Sequence, residues 1–208
     1  MGRLPKKPRK PHSQTKSDTL AVVLGHHQAG RYVEADIGYQ RLIKVQPNDP
    51  DAWHLWGVLA AQQGQYDRAV ERIQHALELK PHEPVFLGNL GNAFLQQGQL
   101  GRAIDCYMDA LQRQPEDADL RTQLAAVCER QLDLGIEHQK ADRLDKAEAC
   151  YLDVLRGQPE RADVWHLLGV IALERDQFEM AEQRIIRAIK LTSNVATFHN
   201  SLGAVYQK

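Results

Sequence analysis

Nine histidines and three cysteines are the candidate metal ligands and nucleophiles of this 208-residue chain. Cys106, Cys128 and Cys150 form no C-x-x-C pair and fit no zinc-ligand spacing. They read as buried structural thiols, not as a disulfide framework. His26 and His138 fall in the same aromatic slot of a repeat set out below, and packing accounts for them. His54 and His166 also correspond, and should face one open wall either as tolerated polar residues or as ligand contacts. No G-x-S-x-G, phosphate-binding loop or dinucleotide fingerprint occurs, and no His/Asp/Ser set stands out. The expectation is a chain without enzymatic activity, metal or cofactor.

Composition narrows the scaffold that carries these residues. Aromatic content is only 6%, and Ala, Leu and Gln recur throughout, which favours helix over sheet. No apolar run reaches the length of a membrane span, and the start of the chain lacks an apolar signal region, so a cytoplasmic protein is expected. Residues 1–17 hold Arg3, Lys6, Lys7, Arg9, Lys10 and Lys16 with no acid, a charge of +6, against −7 over the rest. Pro5, Pro8 and Pro11 in the same stretch predict a disordered basic tail over residues 1–16. PKKPRK is similar to a nuclear import signal or a nucleic-acid arm. The rest of the chain is not basic, so a solvated tail is expected and nucleic acid is not the expected partner.

A repeat organises everything after the tail. Pro47, Pro81 and Pro115 stand 34 residues apart, and Pro159 follows 44 later. Gly57, Gly91, Gly135, Gly169 and Gly203 share that rhythm, as do Ala35, Ala69, Ala103, Ala147 and Ala181. Gly30, Gly64 and Gly98 mark tight turns where positive φ is easily taken. Each unit follows the order W-x2-L-G-x2-Y, A-x3-F, P: Trp53, Trp56 and Gly57 with Ala69, Ile73 and Pro81, or Leu87, Leu90, Gly91 and Phe94 with Ala103, Tyr107 and Pro115. One such hairpin cannot bury its own apolar stripe, so it must stack on neighbours. Trp53, Trp165, Tyr39, Tyr107 and Tyr151 are predicted to pack within that stack. A shift of 112 residues superposes units one to three on units four to six, which reads as a duplication.

This pattern resembles the tetratricopeptide repeat family from about residue 16 to 208. The resemblance implies an all-α fold, a right-handed α-α superhelix. Its repeats span about 16–49, 50–83, 84–117, 128–161 and 162–195, with a partial unit at 196–208. It also implies that the first helix of each hairpin lines a groove for a peptide or a partner protein. The residues placed there are Leu24, Gln28, His54, Val58, Gln62, Asn89, Asn92, Gln96, Ile136, Lys140, His166, Val170, Glu174 and Asn200. Asn89 and Asn92 are expected to bond a peptide backbone. The cations with which some relatives clamp a chaperone's C-terminal carboxylate are missing, because His54, Gly88, Asp163 and Leu167 occupy those places. The stretch NLGNAFLQQGQLGRAIDCYMDAL is similar to the repeats in front of O-linked N-acetylglucosamine transferases and related bacterial glycosyl- or sulfotransferases. That likeness implies, as the alternative, a substrate-selecting region of a larger enzyme.

Two irregularities interrupt the rhythm. Ten extra residues, ADLRTQLAAV at 118–127, precede unit four and predict a long helix from near Asp117 to about Lys140. Leu120, Leu124 and Val127 on its apolar stripe are expected either to fold back on unit three or to form a second interface with a partner or a second copy. The chain also stops inside the sixth unit, so its last helix is expected to be a cap, the start of further chain or another dimer contact.

Overall fold

A computed structural model of the chain describes residues 14–208, with side chains from Leu20 onward. The expected basic tail lies outside the described residues except for 14–16, which already belong to a helix. The described residues fold into helices only, in two compact units through Pro81 and from His82. The first holds α1 (Gln14–Gln28), α2 (Tyr32–Val45), α3 (Pro50–Gln62) and α4 (Tyr66–Leu79). The second holds α5 (Pro84–Gln96), α6 (Leu100–Arg113), α7 (Ala118–Lys140), α8 (Leu144–Gly157), α9 (Ala162–Glu174), α10 (Phe178–Leu191) and α11 (Ala196–Tyr206). No described helix is long and apolar enough to cross a membrane.

Each hairpin starts and turns by local rules. Pro50 and Pro84 open their helices at a position where no N–H is needed. At each tight turn an N–H reaches the carbonyl five residues back, as Gln65 does to Ala60 and Arg143 to His138, both at 2.9 Å. The residue between must take positive φ. Gly30, Gly64 and Gly98 do so in the first three hairpins, but Asp142 (φ 56°) and Asp176 (φ 57°) replace glycine in the next two. A short polar side chain tolerates that region better than most.

The two helices of a hairpin meet at a small residue facing a large one. A Cβ on Gly57 would sit 2.6 Å from Ile73, and one on Gly91 would sit 2.7 Å from the Tyr107 ring. The first hairpin reverses the arrangement: Val23 occupies the glycine slot, and a Cβ on Gly38 of α2 would meet it at 2.5 Å. Tyr39, Tyr107 and Tyr151 are fully buried, and burial pushes each phenol up to about 12. Trp53 and Trp165 are half-buried, and Trp53 packs edge-on against His75 of α4 at 4.4 Å between centroids. Each indole N–H also donates to the carbonyl of the proline six residues back, Pro47 at 2.7 Å and Pro159 at 2.9 Å, which fastens the connection between hairpins.

The insertion is absorbed into the second unit. Asp117 caps α7 by accepting from the Leu120 N–H at 2.9 Å, and the helix then runs 23 residues. Leu120, Leu124 and Val127 are buried at 8%, 8% and 0% exposure. Glycine makes the room: Leu120 lies over Gly88, and Leu124 lies over Gly157 beside Ile104. A second interface through Leu120, Leu124 and Val127 is therefore overturned, because the chain's own helices already cover them. Further along the stripe Gln131 is also buried, and its amide donates to Asp153 Oδ2 at 2.6 Å. Burial raises the Asp153 carboxyl above its ordinary value, against the opposing pull of Arg156 and Gln131.

Candidate functional site

The first helices carry two rows of side chains, an inner one and an outer one four residues further on. In the first unit Leu24 and Val58 are half-buried while Gln28 and Gln62 are exposed. In the second unit Asn92, Ile136 and Val170 are half-buried while Gln96, Lys140 and Glu174 are exposed. A four-residue step keeps both members on one helix face. Each unit thus shows a partly apolar row beside a row of long polar groups.

Two relays tie the outer row to the cores. In the first unit the Tyr39 hydroxyl lies 3.1 Å from His27 Nδ1, and His27 Nε2 lies 3.0 Å from Gln62 Oε1. An amide oxygen only accepts, so Nε2 donates to it and Nδ1 accepts from Tyr39. In the second unit the Tyr151 hydroxyl donates to Gln139 Oε1 at 2.8 Å, and Gln139 Nε2 donates to Glu174 Oε1 at 3.3 Å. The members correspond one to one at a separation of 112 residues. Each relay runs from a second helix through its own first helix to the next first helix, and it fixes the direction of an exposed side chain of the outer row.

The remaining candidates divide. His54 is buried at 6% exposure, so it lines no open wall. His166 is half-buried, lies 2.9 Å from Ser201 Oγ and stacks on Phe198 at 4.7 Å between centroids. Burial lowers its pKa below the ordinary imidazole value. Asn92 accepts from the Tyr107 hydroxyl at 2.7 Å, which fixes the amide and leaves both NH₂ donors for another molecule. Asn89 is half-buried and Asn200 exposed. At the places of the missing clamp, Gly88 is covered by Leu120, and Asp163 is bonded by Arg161, whose guanidinium holds that carboxyl below the usual range. His138 accepts from Arg143 Nε at 3.0 Å, whereas His26, its counterpart, leaves Nδ1 buried without a partner. Sequence reasoning passed over His27 and Gln139. The 112-residue shift that pairs them was the available signal.

Carboxylates and guanidiniums also brace the duplicated hairpins. Arg184 bonds Glu148 at 2.8 Å and the Leu168 carbonyl at 3.0 Å. Its counterpart Arg72 bonds the Trp56 carbonyl at 3.2 Å, lies 4.0 Å from Asp36 and covers the Trp56 ring at 3.5 Å. The three thiols are buried. Burial pushes Cys106 up to about 12 and Cys128 to about 11, and raises Cys150. No group of three or more metal-ligating side chains forms among the described residues.

Helical hairpins in tandem, each closed on a small residue, define an all-α repeat protein. Three family models, each described as tetratricopeptide repeat, match residues 39–71, 60–128 and 132–196. The chain is built of tetratricopeptide repeats. No curated protein sequence matches it. Among solved structures it is similar to MamA protein, at 19% identity and a TM-score of 0.53 over 89% of this chain and 96% of that one. It is also similar to the first TPR of Spaghetti (RPAP3) bound to the HSP90 peptide SRMEEVD, at 17% identity and 0.55 over 57% and 94%. A third is the Yersinia enterocolitica type III secretion chaperone SycD in complex with a peptide of the translocator YopD, at 21% identity and 0.52 over 56% and 94%. These likenesses are of fold.

Proposed function

We propose that this chain is a protein-interaction scaffold that holds an extended peptide segment of a partner against the first helices, and that it performs no catalysis. The observation that carries this reading is the paired rows of the second unit, Asn92, Ile136 and Val170 beside Gln96, Lys140 and Glu174. Side-chain amides bond a peptide backbone without reading its sequence, while the half-buried aliphatics offer it apolar contact. The fold neighbours solved with bound peptides support the same use of the fold. Thiols raised by burial are poor nucleophiles, which supports binding over chemistry. The matched family models carry no mark of the repeats that precede glycosyl- or sulfotransferases, so that alternative is not adopted.

Panning the full chain against a random peptide library tests the reading. Peptides so selected should lose at least about tenfold in affinity for a double variant, Ile136→Ser with Val170→Ser, whose helicity is retained. Peptides that bind this variant as well as the parent would remove the first-helix face from consideration.

A further inference from the structure

Five of the nine large hydrophobic residues that stand exposed among the described residues, Val22, Tyr32, Val33, Ile37 and Val45, belong to the first hairpin. Such concentration marks a surface, because scattered exposed aliphatics need no explanation but a contiguous patch does. Two of the five, Val22 and Ile37, line a cleft of about 450 Å³ together with Val23 and His26 of α1 and Glu34, Gly38 and Arg41 of α2. The four α2 residues fall at i, i+3, i+4 and i+7, so they form one stripe of that helix.

The other hairpins show that this stripe is unusual. Val33 stands where later second helices have Asp67, Gly101, Asp145 and Glu179. Ile37 stands where they have Glu71, Asp105, Ala149 and Gln183. Val22, 60% exposed, is the counterpart of Trp56, which is half-buried and donates to Asp36 of the preceding helix at 2.6 Å. Neither Glu34 nor Arg41 has a side-chain partner among the described residues. His26 Nδ1 is buried in the same wall without one.

We propose that this face is a two-fold interface between two copies of the chain, formed by antiparallel packing of α2 on α2. The charges identify the occupant. Glu34 and Arg41 stand seven residues apart, about 10 Å along the helix at 1.5 Å per residue, with Ile37 and Gly38 midway between them. A two-fold axis through that midpoint sets Glu34 of each copy opposite Arg41 of the other and brings the two Ile37 side chains together over the clefts. A surface that satisfies its own charges on rotation is what an isologous dimer requires. The proposal is independent of the peptide-binding reading, which concerns the first helices.

Sedimentation equilibrium of the full chain, with a monomer mass of 23.6 kDa, tests it. The weight-average mass should rise towards twice that value across the micromolar range. Ile37→Glu should abolish the rise with helicity unchanged, since the side chain is 43% exposed in the free chain. Glu34→Arg or Arg41→Glu alone should weaken association at least about tenfold, because each opposes like charges twice. The double swap should restore it. A dimer that survives Ile37→Glu, or one that the double swap does not restore, overturns the proposal. A chain that stays monomeric throughout overturns it as well.

Discussion

Gly91 and Gly203 occupy the same place in their helices, yet their surroundings differ completely. A Cβ on Gly91 would press on the Tyr107 ring, which is fully buried and held by Asn92, whereas Gly203 has open space within 4 Å. Gly91→Ala should therefore destabilise the protein by about 1–3 kcal/mol. Gly203→Ala should be neutral or stabilising by up to about 1 kcal/mol through helix propensity. Thermal denaturation of the two variants reads the contrast directly. His166 makes a second prediction. Burial lowers its pKa in the fold, so the unfolded chain takes up the proton more readily. Stability should be complete above the ordinary value near 6.5 and should fall as pH drops through it towards the folded pKa. His166→Gln should flatten that loss in urea titrations between neutral and mildly acid pH. Spacing alone gave the slots of Gly91 and Tyr107. It did not single out His27, the next residue after the His26 slot, which is buried and bonds Tyr39.

The long helix α7 was legible as an element, since no Pro or Gly interrupts 116–134 and Asp117 is placed to cap it. What covers its first ten residues was not. The answer depends on Gly88 in α5 and Gly157 at the end of α8, which lie some thirty residues to either side, and their lack of a side chain gives no sign of which helix will fill the space. Leu124→Ala should cost about 2–5 kcal/mol, as for other buried leucines, and should leave the sedimentation behaviour unchanged. A normal melting temperature with altered association would return α7 to the role of an interface. The turns teach a similar lesson. Gly30, Gly64 and Gly98 announced themselves, but Asp142 and Asp176 hold the same backbone state with a residue that also serves many other purposes.

At the scale of the molecule, the duplication carries more than a repeated core. Tyr39, His27 and Gln62 recur as Tyr151, Gln139 and Glu174, and Asp36 with Arg72 recurs as Glu148 with Arg184. The tyrosines and arginines are kept while their partners change type, and the direction of each contact is kept, so the relays hold exposed first-helix side chains in place in each half. A binding surface benefits from such ordering, because less entropy is lost when a ligand arrives. The repeat and the first-helix rows were written in the 34-residue rhythm. The relays were not, because they join different residue types across helices. The central claim is that these first helices are where a partner lies. Hydrogen–deuterium exchange of the full chain, with and without the tightest library-selected peptide, tests it most directly. Protection should concentrate on α5, α7 and α9, at the turns of helix bearing Asn92, Ile136 and Val170, and leave α6, α8 and α10 unchanged. Protection confined to α6, α8 and α10 would contradict it.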